Sequence, residues 1–322
     1  MRDNSSATVI PAQAVSEQAS TGLHPPEPRE RRPASGLWWG LLGVAAFSFT
    51  VPFTKVAVGG LPPLFVASGR AVVAALLAAL ALALTRQRLP RGTQWARLAV
   101  VAGGVVVGFP FLTTFALTAA PAGHSAVVIA LLPAVTAMTA VLRGRERPPR
   151  SFWAMTAVGA LAAIGFASVQ AGGFASLHWT DLLLFGAVAT CAVGYAEGGL
   201  LARELGAWQT ISWALVLVSP LMAVLAILLP ATQQHLSATP AQWAAFAYLG
   251  VVSMFLGFFA WYRGLAIGPM AQVSQVQLVQ PVMTIAWASL LLGERLDWTT
   301  VAGGLAVVLC AGAAVRARSG RS

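Results

Sequence analysis

The feature that most constrains this chain is a recurring length. Apolar runs of about 20 residues follow one another from Leu37 almost to the C-terminus, with short connectors between them. A helix needs about 20 residues to cross a hydrocarbon core of about 30 Å. Lipid offers the backbone no water, so such runs satisfy their own amides and carbonyls as helices. Their Ala, Leu and Gly content favours helices over a β-barrel, whose strands are shorter and alternate in polarity. The expected fold class is therefore all-α integral membrane. Composition agrees: 9% of the residues are charged, against about one quarter in a soluble domain.

Ten runs are predicted. In the first half they cover Leu37 to Ala57, Leu64 to Leu84, Leu98 to Thr118, His124 to Leu142 and Phe152 to Ala171. In the second half they cover Asp181 to Leu201, Trp208 to Leu228, Trp243 to Arg263, Gln272 to Leu292 and Trp298 to Ala314. The net charge of +10 would suit nucleic acid if it sat on a soluble domain. It sits in connectors instead, so no nucleic-acid partner is expected. Arg86, Arg88, Arg91 and Arg97 fall in one connector, and Arg143, Arg145, Arg147 and Arg150 in another. With the N-terminus cytoplasmic, both connectors are inside, as are Arg203, Arg263 and the tail arginines; among connector arginines only Arg295 falls outside. The positive-inside bias thus favours both termini in the cytoplasm. The first 36 residues carry four arginines and four acidic residues among Pro and Ser and read as disordered. They contain no signal-peptide core. Cys191 and Cys310 lie inside apolar runs, which argues against a disulfide framework or a thiolate metal site.

The chain also repeats itself. Leu117-Thr-Ala-Ala-Pro121 resembles Leu265-Ala-Ile-Gly-Pro269, and at equal spacings beyond come Pro133 and Pro281, then Glu146-Arg147 and Glu294-Arg295. After a short indel, Trp153 aligns with Trp298 and Gly159 with Gly304. Five helices per unit is an odd number, so the second unit enters the membrane from the opposite side. The expectation is ten transmembrane helices from two inverted five-helix repeats, an arrangement many secondary transporters use. The expected segments are a cytoplasmic stretch over 1–36, a first repeat over 37–171, a second over 172–316 and a cytoplasmic tail over 317–322.

Phe49, Pro52, Lys55, Pro63 and Arg70, the stretches Ala122 to Pro133 and Ala271 to Leu296, and above all Pro281 with Leu291-Leu292-Gly293-Glu294-Arg295-Leu296 resemble the EamA-type, ten-helix members of the drug/metabolite transporter superfamily. The resemblance covers roughly residues 37 to 315. The first unit departs from the pattern, reading Gly144-Arg145-Glu146-Arg147-Pro148. The resemblance implies secondary transport of a small metabolite by alternating access, often export of amino acids or related compounds, from a multi-pass position in a bacterial inner membrane. No P-loop is present, so coupling would be to a proton, an ion or a counter-solute. No cofactor or metal is expected. Monomer and homodimer both remain open.

The residues that stand out are polar groups within apolar runs. Arg70 lies roughly 9 Å into helix two, where a charge faces a wet cavity or the bundle interior. It either contacts an anionic or carboxylate-bearing solute or pairs with backbone carbonyls. Lys55, near the outer end of helix one, either lines a vestibule or snorkels. Glu197 is a candidate for coupling, with Arg203 as a structural partner. Gln272, Gln275, Gln277 and Gln280 are too many amides for lipid; Gln277 and Gln280, beside Pro281, are the cavity candidates. Thr114, Tyr195 and Tyr262 could offer cavity hydroxyls. Pro133 and Pro281 are expected to kink helices four and nine. Trp38, Trp39, Trp179, Trp243 and Trp298 read as interfacial anchors, Gly104 and Gly108 as a close-packing pair, and His124 as a lone histidine. Two other function classes make different demands on the sequence. A lipid-modifying membrane enzyme would need a nucleophile or metal cluster, and a sensor or scaffold would be favoured by a soluble signalling domain; the sequence offers neither.

Overall fold

The computed structural model describes residues 33–144, 178–228, 238–267, 276–295 and 297–319, with positions 150, 153, 154, 157, 158, 161 and 273 between them. The helices are α1 (Pro33–Ser48), α2 (Thr50–Val58), α3 (Pro63–Leu84), α4 (Thr93–Val101), α5 (Phe109–Ala119), α6 (Ala122–Ile129), α7 (Leu132–Gly144), α8 (Trp179–Leu205), α9 (Ala207–Leu228), α10 (Pro240–Tyr248), α11 (Gly257–Ile267), α12 (Val279–Leu292) and α13 (Trp298–Ser319). Two π-helical segments join them: Ala102–Gly108 links α4 to α5, and Leu249–Leu256 links α10 to α11. Six continuous stretches among the described residues are long and apolar enough to cross a membrane: Gly36–Val58, Pro63–Leu84, Thr93–Ala119, Trp179–Leu205, Ala207–Ile227 and Pro240–Ile267. Ala122–Thr136 and Val279–Leu292 are shorter apolar pieces. The protein is an all-α, multi-spanning membrane protein.

Several boundaries differ from the expectation. The third span begins at Thr93 rather than Leu98, so Arg97 stands on a helix and not in a connector. The sixth continues to Leu205, and the eighth runs from Pro240 to Ile267. In each case a polar or charged residue near the membrane edge reads like a connector, although a helix carries it at little cost once it reaches water or a partner. The fifth expected run, Phe152 to Ala171, lies outside the described residues apart from isolated positions, as do Glu146, Arg147, Gln272 and Gln275.

Prolines explain where the helices break. Pro52 has no N–H for the Ser48 carbonyl; the helix is interrupted at Phe49, and the Thr284 hydroxyl donates to that carbonyl instead at 2.9 Å. Pro220 sits inside α9, and the carbonyl it frees, that of Val216, accepts from the Ser219 hydroxyl at 2.8 Å. Turns at Ala130-Leu131 and at Gln277-Leu278 come just before Pro133 and Pro281. The π segments end alike, Phe109 donating back to the Gly104 carbonyl and Gly257 to that of Val252. Gly257 follows Phe109 in the chain at the same separation as Pro281 follows Pro133. Gly293, at φ 66°, ends α12 in the left-handed conformation that glycine adopts without strain.

The two halves pack reciprocally. α1 lies along α11, while the α4–α5 stretch lies along α8; α3 packs on α9, α6 on α12, and α7 on α8. Glycines bring backbones together at both reciprocal contacts. A Cβ on Gly264 would fall 2.8 Å from the Gly40 nitrogen, and one on Gly104 would fall 2.5 Å from the Thr190 carbonyl of α8. Gly108 meets the same threonine, so both members of the expected close-packing pair serve this interface. Exposed Leu76 and Leu80 on α3 and Leu221 and Val224 on α9 form apolar outer faces suited to lipid. Trp38, Trp179 and Trp298 are exposed at helix ends, where indoles anchor to the interface. Arg86, Arg88 and Arg91 mark one end of the bundle, with Arg97, Arg143 and Arg203 near it; Pro121, His178 and Glu294 mark the other.

Candidate functional site

The most unusual group in the interior is Arg70. It is 1% exposed, and its nearest partner is the Thr114 hydroxyl, to which one terminal nitrogen donates at 3.4 Å. Its Nε has no partner. A guanidinium offers five donors, and the Nε donor goes unused in a place where a desolvated charge is costly. The geometry follows from α3 being helical throughout: the first turn starts at Pro63, and Arg70 then points inward among Val66, Ala67, Ala71 and Ala74.

Arg70 lines a cavity of about 30 Å³. The polar walls are Thr50, Tyr195, Ser253 and Gln280, and the apolar ones include Phe47, Phe109 and Phe258. Both π segments contribute, through Val105 and through Ser253 with Met254. An adjacent space of about 10 Å³ lies where the proline breaks meet, lined by Pro133, Pro281, Gln277, Gln280 and Thr284. Gln280 borders both. Spaces this small hold at most a water molecule or two, so a metabolite reaches Arg70 only after helices separate. Neither atom of the Gln277 amide makes a hydrogen bond of normal geometry, and the Gln280 carbonyl oxygen makes none. Buried polar groups are rarely left unpaired; here three such side chains gather at the centre.

Of the residues singled out from sequence, Arg70, Thr114, Tyr195, Gln280, Gln277, Pro133 and Pro281 come together at this centre. Lys55 and Tyr262 do not line it. The Lys55 ammonium donates to the Leu117 and Ala120 carbonyls, both at 2.9 Å. These belong to the end of α5, where carbonyls lack helical partners and a cation suits the dipole. The Tyr262 hydroxyl donates to the Gly194 carbonyl at 3.3 Å and presses on Gly198, where a Cβ would collide with it.

Glu197 requires a correction. It does not pair with Arg203, which is exposed. Its buried carboxylate accepts from Arg97 on α4 and, at 2.8 Å, from Arg143 on α7. Arg97 also reaches Glu204. The reason is the earlier start of α4, which turns Arg97 toward α8. This cluster ties three helices together at the arginine-rich end.

Two further arrangements were not anticipated. The Glu294 carboxylate accepts the amides of Ala122 at 2.8 Å and Gly123 at 2.9 Å, capping α6 from the far half of the chain. The signal was present in the Leu-Gly-Glu-Arg-Leu motif, a carboxylate just beyond a helix-ending glycine. His124 Nε2 lies 2.6 Å from Asp181 Oδ1, joining α6 to α8.

A sequence model described as the EamA-like transporter family matches residues 34–168 and again residues 178–315. The uncharacterized transporter YdeK of Bacillus subtilis (strain 168) is 44% identical over 285 residues, which is 86% of this chain and 96% of that protein. A probable terminal-alkyne amino-acid exporter of Streptantibioticus cattleyicolor is 26% identical over 278 residues, 84% of this chain and 90% of that one. A solved structure described only as the crystal structure of a protein superposes with a TM-score of 0.62 at 18% identity, covering 88% of this chain and 98% of that one. That likeness concerns the fold alone.

Proposed function

The chain belongs to the EamA-like transporter family, and on that premise we propose that it exports a small carboxylate-bearing metabolite, an amino acid or a close relative, by alternating access. It is a membrane transporter of small metabolites and not an enzyme. The observation that carries the finer reading is Arg70, a fully buried guanidinium with an unpartnered Nε on a polar cavity between the two halves. Its fork matches a carboxylate bidentately. Gln277, Gln280 and Tyr195 supply neutral polar contacts, and Thr114 orients the guanidinium. Phe47, Phe109 and Phe258 suit an apolar side chain. The printed name of one relative, an amino-acid exporter, favours the same solute class and direction.

The proposed frame is ten helices in two inverted five-helix repeats, the first over 37–171 and the second over 172–316, in a bacterial inner membrane with both termini cytoplasmic. Reciprocal packing, paired π segments and paired proline breaks support it. The arginine-rich end is then the inner end. There, Glu197 with Arg97 and Arg143 is the inner gate, while Pro133 and Pro281 are the hinges. Lys55 and Tyr262 are positioning residues.

Counterflow in proteoliposomes across an amino-acid and metabolite panel tests this reading. Arg70→Ala is expected to abolish flux and solute binding at matched membrane abundance. Arg70→Lys should retain part of both if charge dominates and neither if the fork does. Normal binding and flux in well-expressed Arg70→Ala would remove the substrate role. Single-cysteine labelling of intact vesicles tests orientation: a cysteine at 88 should react from the cytoplasmic face and one at 295 from the opposite face.

A further inference from the structure

We propose that the His124–Asp181 pair is a proton-binding site that sets the grip between α6 and α8 at the end opposite the arginines. The proposal rests on the orientation given above only in calling that end the outer one.

α6 and α7 run alongside α8 and belong to the other half of the chain. Side chains join the two at both ends. At the inner end the groups are Glu197, Arg97 and Arg143, whose types keep their charges throughout the physiological range. At the outer end the donor is an imidazole, the side chain whose ordinary pKa lies within that range. Its partner is well held. Asp181 stands in the first turn of α8, where the helix dipole favours an anion. Its Oδ2 accepts the His178 amide at 3.1 Å, while its Oδ1 faces His124 Nε2 at 2.6 Å. The Asp181 side chain is 2% exposed and that of His124 11%. A neutral imidazole gives the carboxylate a hydrogen bond assisted by the charge of Asp181 alone. An imidazolium adds to the same bond the attraction of a full positive charge at close range. One proton gained by His124, with Asp181 remaining a carboxylate, therefore tightens this contact between the halves.

The surroundings bear on the same proton. His124 is in the first turn of α6, whose dipole opposes a cation there, but Glu294 caps the two amides before it and brings a second carboxylate close. His178, Glu294, Arg295 and Asp297 share with the pair a cavity of about 450 Å³. Lys55 on α2 feels the charge of Glu294. α5 and α12, which also pack on α6, carry no charged side chain. The cavity gives protons a route to the pair from this side. Proton uptake there holds the outer end shut and biases the transporter toward opening at the inner gate.

The test uses the full-length protein labelled with nitrogen-15 histidine in lipid nanodiscs. The His124 resonances are identified by their loss in His124→Gln. Their response to pH reports the proton on His124 directly, and Asp181→Asn is expected to change that response. A His124 that does not titrate between pH 4 and 9, or one indifferent to Asp181→Asn, would overturn the proposal. Counterflow is then measured against external pH. The wild-type rate should change several-fold across the His124 titration, and His124→Gln should flatten the profile while keeping a hydrogen-bond donor. An unchanged profile in His124→Gln would show that the proton does not govern the clamp. If no solute moves in the wild type, it is the transport reading that fails, and the resonance titration still decides whether the proton site exists.

Discussion

α8 is fastened to α6 and α7 at two ends by different chemistry. At the arginine-rich end one buried carboxylate, Glu197, is held by two guanidinium groups from α4 and α7. At the other end one carboxylate, Asp181, faces one imidazole, and α6 is capped by Glu294 from the opposite half. The first fastening has permanent charges and opens only when something else supplies the free energy, such as a bound solute drawing the helices apart. The second can be loosened by the loss of a single proton. On the reading proposed above, one end of this helix pair answers to substrate and the other to pH.

Three substitutions probe that contrast, each read by thermal unfolding in detergent at matched lipid content. Glu197→Gln should have the largest effect, a loss of about 3 kcal/mol, because it removes the buried anion between two arginines and leaves Arg97 only Glu204. The figure belongs at the low end of the usual range since Arg143 is more than half exposed. An unchanged melting temperature would mean that the inner fastening is not structural. Glu294→Ala should cost about 1 to 2 kcal/mol, the worth of a helix N-cap. It should also raise amide exchange at Ala122 and Gly123, and protection there as strong as in the wild type would contradict the capping role. Arg143→Gln should lower the melting temperature least of the three, as an exposed arm of an ion pair whose buried partner keeps Arg97. A loss as large as that from Glu197→Gln would show that Arg143, and not Arg97, is the principal partner.

Six of the spans were legible because lipid imposes one length on every helix that crosses it, and the repeat, matched twice by the family model, was legible because prolines and a Glu-Arg pair recur in order. Arg70 stands out for a related reason: a charge within an apolar run must find water or a partner. The fastenings were not legible. Glu197 meets Arg97 and Arg143 across 100 and 54 residues of chain, and no helical period connects such distant positions. The nearer Arg203 looks like the partner only until α8 is seen to turn it outward. Lys55 binds backbone carbonyls, which every residue type possesses and which no side-chain pattern marks. The π segments likewise carry no signature, since Ala-Gly-Gly-Val-Val-Val-Gly reads as an ordinary apolar stretch.

Those π segments also govern how the long third and eighth spans meet their neighbours. Each closes hydrogen bonds five residues back instead of four, so it stores extra chain within a continuous helix. Every surplus residue turns whatever follows by about 100°. The stripe that α4 offers the bundle is thus out of phase with the stripe offered by α5, and the same holds for α10 and α11. A tryptophan scan along 93–119 should accordingly produce a tolerance pattern with two phases and a jump between them, as though two shorter helices had been spliced with their faces rotated. One span can then face lipid along one line and the central cavity along another.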